Sequence, residues 1–334
     1  MADIATLAAS RAAADRMSRL VDGYLATQLV YVAAKLRLAD ALAPAPLTCV
    51  DLAEAVGAVP GVLRRVLRGL AAEQVLDELP DGRFALTPTG QLLRTDVPGS
   101  RHGGALAGGA AGYAAMAGLL AAVQGGGIPF ELVHGEPFVS HLDARPDQRD
   151  LFQASMAARA AREAAAVVAA YDFGRFRTVV DVGGGAGLLL DAVLAAAPEA
   201  TGLLFDRPEV LDGARLPSVG GDFFVEVPDG ADAYLLSRVI HEWADADAVT
   251  ILRNCRRAMP EHATLLLVEA VLPERAVELP TAVRLDLQLL AMLGGRERTA
   301  AEYAALLDAA GLRLADLVPA DAPTGLHVLE VRPQ

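Results

Sequence analysis

The second half of this 334-residue chain predicts an α/β domain built on a doubly wound, Rossmann-like, mainly parallel sheet, and the first half a mainly helical domain with a winged-helix pattern. Three observations predict this. From Phe176 onward, strand-like runs at Thr178–Val182, Thr201–Phe205, Ala231–Leu236, Thr264–Glu269, Leu312–Leu317 and His327–Val331 mostly have helical stretches between them. Such alternation marks a parallel sheet covered by helices. A glycine-rich turn follows the first of these strands. Between Leu47 and Thr95 the order is helix, turn, helix, hairpin.

The turn organises the rest. Thr178 to Val182 is β-branched except for Asp181, as expected of a buried parallel strand. Gly183, Gly184, Gly185 and Gly187 then let backbone approach a ligand closely. Leu188 to Ala197 reads as a helix ending before Pro198. Strand, turn and helix together form a nucleotide-type site at the carboxyl end of a strand. The dinucleotide fingerprint fails, because its third glycine would fall on Leu188. No Gly-Lys-Ser/Thr motif is present either. An acidic residue, Asp206, ends the next strand, and a carboxylate there suits a ribose with free hydroxyls. That fits an adenosine without a bridging pyrophosphate, and S-adenosylmethionine is the candidate. The bland alternative is an ordinary glycine turn in another α/β fold.

Composition narrows the partners. A net charge of −13 speaks against a general nucleic-acid or anionic-membrane surface. Cys49 and Cys255 lie far apart, without metal-type spacing, so neither a disulfide framework nor a zinc site is expected. The first residues contain acids and no apolar core of a signal peptide, so a reducing cytoplasm is the default expectation. Residues 103–123 carry no charge, and Gly104, Gly108 and Gly112 have the small-xxx-small spacing of membrane helix pairs. The stretch is mostly Gly and Ala, which drive insertion weakly. A close helix–helix contact, within the chain or across a dimer, is the expectation.

Residues 7–42 read as one or two helices. Asp51–Val56 and Val62–Glu73 read as two more, and Val75–Leu79 with Arg83–Leu86 as a hairpin turning at Asp81-Gly82. The second helix carries Arg64, Arg65 and Arg68, so a DNA-binding regulator is one alternative. However, residues 1–100 hold ten Lys/Arg against eleven Asp/Glu, without the basic footprint of a DNA reader. A scaffolding or dimerising role is preferred. The predicted organisation is a dimerisation domain at 1–100, a helical linker and substrate-pocket segment at 101–171, and a catalytic domain at 172–334. Phe152 and Met156, four apart on the long Ala-rich helix, are core or ligand-facing.

His241 stands out on chemistry alone. It follows the apolar strand Ala231–Leu236, at the carboxyl end where ligands bind in such sheets. Methyl transfer needs an oxygen nucleophile in line with the methyl–sulfur bond. A phenol, with a pKa of about 10, must lose its proton to a base at neutral pH. Histidine titrates at about 6.5 and suits that task.

Six motifs in order then resemble class I S-adenosylmethionine-dependent methyltransferases, and within them the small-molecule O-methyltransferases of plant phenolic and bacterial polyketide pathways. They are Asp181-Val-Gly-Gly-Gly-Ala-Gly187, Phe205-Asp206-Arg-Pro, Gly221-Asp222-Phe-Phe224, Ser237-Arg-Val-Ile-His-Glu-Trp243, Val268-Glu269-Ala-Val-Leu-Pro273 and Gly294-Gly-Arg-Glu-Arg-Thr299. The resemblance covers roughly residues 15–332. It implies a homodimer, an aromatic small-molecule acceptor arriving free or on a carrier protein, and no metal.

By the same resemblance, Asp181, Gly183, Gly185 and Gly187 belong to the cofactor site, the glycines facing the methionine part. Asp206 would hold the ribose, and Asp222 and Phe223 the adenine. Ser237 and Arg238 would close the pocket. Only 15 residues separate Asp206 from Asp222, fewer than usual, so part of a helix or strand is missing there. His241 would be the base, with Glu269 and Glu297 orienting it. Alternative roles for these acids are a cap on a nearby N–H and an ion pair with Arg296 or Arg298. Trp243, Asp286, Leu289, Leu290 and Met292 are candidates to line the acceptor pocket, Trp243 alternatively packing behind His241. Some relatives of the fold have turned to decarboxylation, hydroxylation or ring closure. Retention of His241 and Glu297 favours methyl transfer.

Overall fold

The computed structural model describes residues 4–321 and 323–334, without the side chains of residues 4–10. The chain divides into two compact units, Met1–Ala117 with Arg145–Ser155, and Gly118–Ala144 with Met156–Gln334. The segment 101–171 is thus shared between them.

The first unit opens with α1 (Ile4–Val21), α2 (Gly23–Lys35) and α3 (Leu38–Leu42). The expected one or two helices are three, because Arg37 adopts a left-handed conformation (φ 53°) between α2 and α3. β1 (Leu47–Thr48), α4 (Cys49–Val56), α5 (Pro60–Ala72), β2 (Leu76–Glu78), β3 (Arg83–Leu86) and α6 (Pro88–Gln91) follow. The Thr48 side chain caps α4 by accepting the Asp51 N–H, and Gly57 ends it in the left-handed region. Pro60 starts α5. This helix buries Leu63, Leu67 and Leu70 and turns Arg64, Arg65 and Arg68 outward. Each buried leucine is worth about 1.5–3 kcal/mol. β2 and β3 pair through the Asp81-Gly82 turn, and β1 adds a third antiparallel strand beside β3. The helix–turn–helix–hairpin pattern is therefore present, with an extra strand.

The uncharged stretch is long and apolar enough to cross a membrane by length and composition. It folds as α7 (His102–Gly109), α8 (Ala111–Ala115), a 3-10 turn at Met116–Gly118 and α9 (Leu119–Gly125). The close helix contact is real but rests on a different glycine. Gly104 and Gly108 face open space, whereas Gly109 abuts the Tyr31 side chain of α2.

The second unit continues with α10 (Pro129–His134), α11 (Phe138–Asp143) and the C-terminal part of α12 (Pro146–Ala170). Next come β4 (Thr178–Val182), α13 (Leu188–Ala196), β5 (Thr201–Asp206), β6 (Ser218–Gly220), β7 (Ala233–Ser237), α14 (Asp245–Ala258), β8 (Thr264–Leu272), α15 (Pro280–Leu293), β9 (Arg298–Thr299), α16 (Ala300–Ala309), β10 (Leu312–Asp321) and β11 (Leu326–Pro333). The sheet order is β10-β11-β8-β7-β4-β5-β6, with β9 attached to β8. β6, β5, β4, β7 and β8 are parallel, and β11 and β10 form an antiparallel edge.

Side chains alternate across this sheet and build a core on each face. Tyr234, Leu236, Leu265 and Leu267 pack with Ile251, Leu252 and Tyr303 on one side. Leu235, Leu266 and Val268 pack with Val167, Leu189 and Val193 on the other. In the short stretch between Asp206 and Asp222, residues 207–217 cross from β5 to β6 through turns, without a helix. The chain runs outward from β4 through β5 to β6, then returns to lay β7 on the other side of β4. The crevice outside the carboxyl ends of β4 and β7 is therefore the switch point where such sheets bind ligands.

A methyl group at Gly109 would meet Tyr31 Cβ at 2.2 Å, while one at Gly108 would meet nothing within 4 Å. Gly109→Ala is expected to cost about 1–3 kcal/mol in urea unfolding. Gly108→Ala is expected to be neutral or to stabilise by up to about 1 kcal/mol.

Candidate active site

Of the predicted site residues of the second unit, Asp181, Gly183, Gly185, Gly187, Asp206, Asp222, Phe223, Ser237, Arg238, His241 and Trp243 lie at or just beyond strand ends on the carboxyl side of the sheet. Glu269 instead sits inside β8, which runs on to Leu272 past the expected end, and Glu297 precedes β9. Gly183, Gly185 and Gly187 have φ of 70°, 58° and 74°. Side chains are strained there, so the turn needs glycine. Gly184 has a different reason, since a Cβ would sit 2.5 Å from the Asp181 carboxylate. Burial, and then the charge of Asp206, push the Asp181 carboxyl up to about 7. Asp206 is half-buried at the end of β5 and accepts the Gly185 N–H at 2.9 Å and the Arg207 N–H at 2.7 Å.

Asp222 is exposed, and one of its oxygens accepts the Phe224 N–H of its own turn at 2.8 Å. Phe223 lies beside Gly183. The carbonyl of Phe223 is held by Asn254 Nδ2 at 2.7 Å, a buried residue of α14 that carried no signal in the sequence. Trp243 packs edge-on against Phe223 and Phe224, with ring centroids at 6.0 and 4.7 Å. It therefore supports the Phe223–Phe224 loop from behind.

His241 occupies a 3-10 turn, Ile240–Glu242, directly beyond β7. Its ring is buried, and Nδ1 lies 3.0 Å from Glu297 Oε1 and 3.7 Å from Glu269 Oε2. Glu297, a carboxylate, can only accept, so Nδ1 carries the hydrogen and Nε2 keeps its lone pair. Among the described residues none engages Nε2. The two acids divide their work. Glu297 holds the imidazole, while Glu269 Oε1 accepts the Ile240 N–H at 2.8 Å and so holds the turn.

Burial alone would lower the pKa of His241. The Glu269 charge and the Glu297 hydrogen bond and charge outweigh it and raise the value above the usual 6.5. Burial is also what pushes the Glu269 carboxyl up to about 7. The two groups titrate as one system.

The loop after α15 grips the His241 turn. Arg296 N–H donates to the His241 carbonyl at 2.8 Å. Gly295 lies against that carbonyl so tightly that a Cβ would be 2.5 Å from it. Arg298, fully buried, donates to the carbonyls of Ile240 (3.1 Å) and Trp243 (2.8 Å) and to Asp245. The ion pair of Glu297 with Arg296 or Arg298 that the sequence offered is not formed: Arg298 pairs with Asp245, and Arg296 with Asp245 and Glu302.

Asp286, expected at the acceptor, accepts the Glu297 N–H at 2.8 Å. It thereby fixes the loop from α15. Leu289 covers Gly295, while Leu290 and Met292 are half-buried on the same helix. Met156 is exposed in the second unit, and Phe152 belongs to the first. Ser237 is half-buried at the end of β7. Arg238, expected at the cofactor, turns its guanidinium to Glu163 and Glu297.

Comparison with known proteins adds a context to this geometry. Residues 116–313 match the family model of an O-methyltransferase domain, and residues 18–96 that of an O-methyltransferase dimerisation domain. The chain is 43% identical over 327 residues to the phenazine O-methyltransferase of Lysobacter antibioticus, covering 94% of this chain and 95% of that protein. It is 38% identical to an 8-amino-8-demethylriboflavin N,N-dimethyltransferase of Streptomyces davaonensis, covering 93% of each. Among solved structures, a mitomycin 7-O-methyltransferase superposes with a TM-score of 0.88 at 35% identity, covering 98% of this chain and 100% of that one. An O-methyltransferase from neocarzinostatin biosynthesis, solved with S-adenosylmethionine and 2-hydroxy-5-methyl naphthoic acid, superposes with a TM-score of 0.78 at 30% identity, covering 92% and 96%.

Arg298→Met would leave the Trp243 carbonyl without its buried donor and the Ile240 carbonyl with the Trp243 N–H alone. It should cost about 2–4 kcal/mol in urea unfolding. Arg296→Met removes a half-exposed side chain, and a change within about 0.5 kcal/mol is expected.

Proposed function

The chain belongs to the O-methyltransferase family with an N-terminal dimerisation domain, and on that premise we propose that it methylates a hydroxyl of an aromatic natural-product intermediate with His241 as general base. It is an S-adenosylmethionine-dependent methyltransferase, and its dimerisation domain supports a homodimer. The observation that carries the proposal is the 3.0 Å contact of His241 Nδ1 with Glu297, which leaves Nε2 as the basic nitrogen at the carboxyl end of β7.

The residues present fit the cofactor. Asp206 offers a partly exposed carboxylate for ribose hydroxyls. The left-handed glycines keep side chains away from the turn that would face the methionine part. Phe223, beside Gly183, offers a ring against which adenine can rest. Bound there, S-adenosylmethionine supplies an electrophilic methyl on a sulfonium.

The chain's own part is to place an oxygen in line with that methyl and remove its proton. Nε2 accepts the acceptor's proton as the oxygen attacks. The resulting imidazolium is stabilised by Glu297 through the Nδ1 hydrogen and by the nearby Glu269. Positioned bases of this kind contribute about 10²–10⁴-fold. An amine acceptor is the second reading, favoured by the N,N-dimethyltransferase relative. A neutral amine attacks with its own lone pair and depends less on a base.

His241→Ala should lower kcat on a phenolic acceptor by about 10²–10⁴-fold, with S-adenosylmethionine affinity by calorimetry within about threefold of wild type. Phenol turnover undiminished in the variant would reject His241 as the base, and turnover of amines alone would move the second reading forward.

The pH profile follows from the raised His241 pKa. The base is competent only when neutral, so kcat/KM should climb with pH through a midpoint above 6.5. Glu297→Gln removes a raising influence. Its acid limb should move to lower pH by about one unit while the maximal rate falls. An unmoved limb would detach Glu297 from the base.

A further inference from the structure

Resting on the role of His241 above, we propose that Arg238 is a positioning residue that sets the proton affinity of His241 by sharing Glu297 with it, and that Glu163 controls how much of Arg238 Glu297 receives. The geometry is specific. Arg238 follows the last residue of β7 with φ 58°, one of three non-glycine residues of positive φ among those described. Such a backbone costs about 1–3 kcal/mol and persists where surroundings enforce it. Here the Arg238 N–H donates to the Val268 carbonyl at 3.0 Å.

The guanidinium is largely buried. It is held in a fork by Glu163 of α12, with Nη2 at 2.8 Å and Nε at 3.2 Å. Its remaining arm, Nη1, reaches Glu297 Oε1 at 3.3 Å. That is the same oxygen that accepts from His241 Nδ1 at 3.0 Å. One carboxylate oxygen thus serves two donors, the Arg238 guanidinium and the His241 Nδ1–H, and what one gains the other loses. Glu163 is itself shared with Arg159, four residues earlier, at 2.8 Å.

The charges facing His241 come from every element around it. Glu269 approaches from β8 and Glu297 from the loop before β9. Arg238, backed by Glu163 and Arg159, faces them from the side of α12. Tyr303 of α16 adds a buried neutral hydroxyl, Asp286 accepts the Glu297 N–H, and Glu242, exposed and next to the histidine, adds a negative charge that interacts with it. Arg298 is occupied with Asp245 and two carbonyls. Arg238 is therefore the cation that competes for Glu297. Methyl transfer would feel α12 through it, although α12 donates no atom to the imidazole.

The test is an NMR titration of the His241 ring, assigned by difference from His241→Asn, in the wild type, Arg238→Met, Arg238→Lys and Glu163→Gln. Removing the competing cation should raise the His241 midpoint by about one unit in Arg238→Met. Glu163→Gln frees Arg238 for Glu297 and should lower it. Arg238→Lys keeps the charge and should stay near wild type.

Opposite signs for Arg238→Met and Glu163→Gln are what an arginine without electrostatic reach to His241 would not give. An unmoved midpoint in Arg238→Met, or shifts of the same sign in it and Glu163→Gln, overturns the proposal. If Arg238→Met does not fold, the downward shift in Glu163→Gln decides. S-adenosylmethionine affinity weakened tenfold in Arg238→Met with His241 unmoved would return Arg238 to the cofactor. If the NMR midpoints move as expected and the acid limb of kcat/KM does not follow, the relay stands and His241 is not the base.

Discussion

The active site depends on one loop holding another by its backbone. Residues 294–299 contain no cofactor or substrate chemistry of their own except Glu297, yet they supply an N–H and a guanidinium to the carbonyls at Ile240, His241 and Trp243. A turn just past a strand has unpaired carbonyls, and here they are buried. Left alone they would cost free energy and let the turn move. Arg298 satisfies two of them and is neutralised by Asp245. The imidazole is thus fixed before any ligand arrives. Gly295 is the steric counterpart, because only a residue without Cβ lets the loop come close enough for the Arg296 N–H to reach His241.

The sequence made the fold and the centre of the site legible, and the reasons are physical. The strands from Thr178 to Val331 are apolar because both faces of the sheet are covered, so burial writes itself into composition. Strand ends then place Asp181, Asp206, Ser237 and His241 without further information, whereas Glu269 lies inside β8, which runs on to Leu272. Side-chain direction was not legible. Arg238 and Arg298 look like any arginine near a loop, and whether a guanidinium faces solvent or carbonyls depends on contacts distant in sequence. Arg238 meets Glu163 across 75 positions and Arg298 meets Ile240 across 58. The same limit explains Asp286, whose partner is a backbone N–H, and Gly109, which meets Tyr31 while the regularly spaced Gly104 and Gly108 meet nothing. The short crossing between β5 and β6 was visible as missing residues, and a crossover without a helix is what those residues permit.

Charge balance ties these features together. Three carboxylates, of Glu163, Glu269 and Glu297, share this buried place with two guanidiniums, of Arg159 and Arg238. With a neutral imidazole and ionised acids, the cluster carries one uncompensated negative charge. With an imidazolium it is balanced. Burying an unpaired charge is costly, so the cluster favours taking up one proton. That preference appears in two places, as a His241 pKa above its usual value and as a Glu269 carboxyl near 7. In the role proposed for His241, a group that accepts a proton from a weakly acidic hydroxyl gains from surroundings that hold one charge too few. The Arg238 cation, the weakest of the influences on the imidazole, works against this uptake of a proton. The proton affinity of the imidazole is therefore a property of the whole cluster, in which Glu297 acts on it directly and Glu163 only through Arg238 and Glu297.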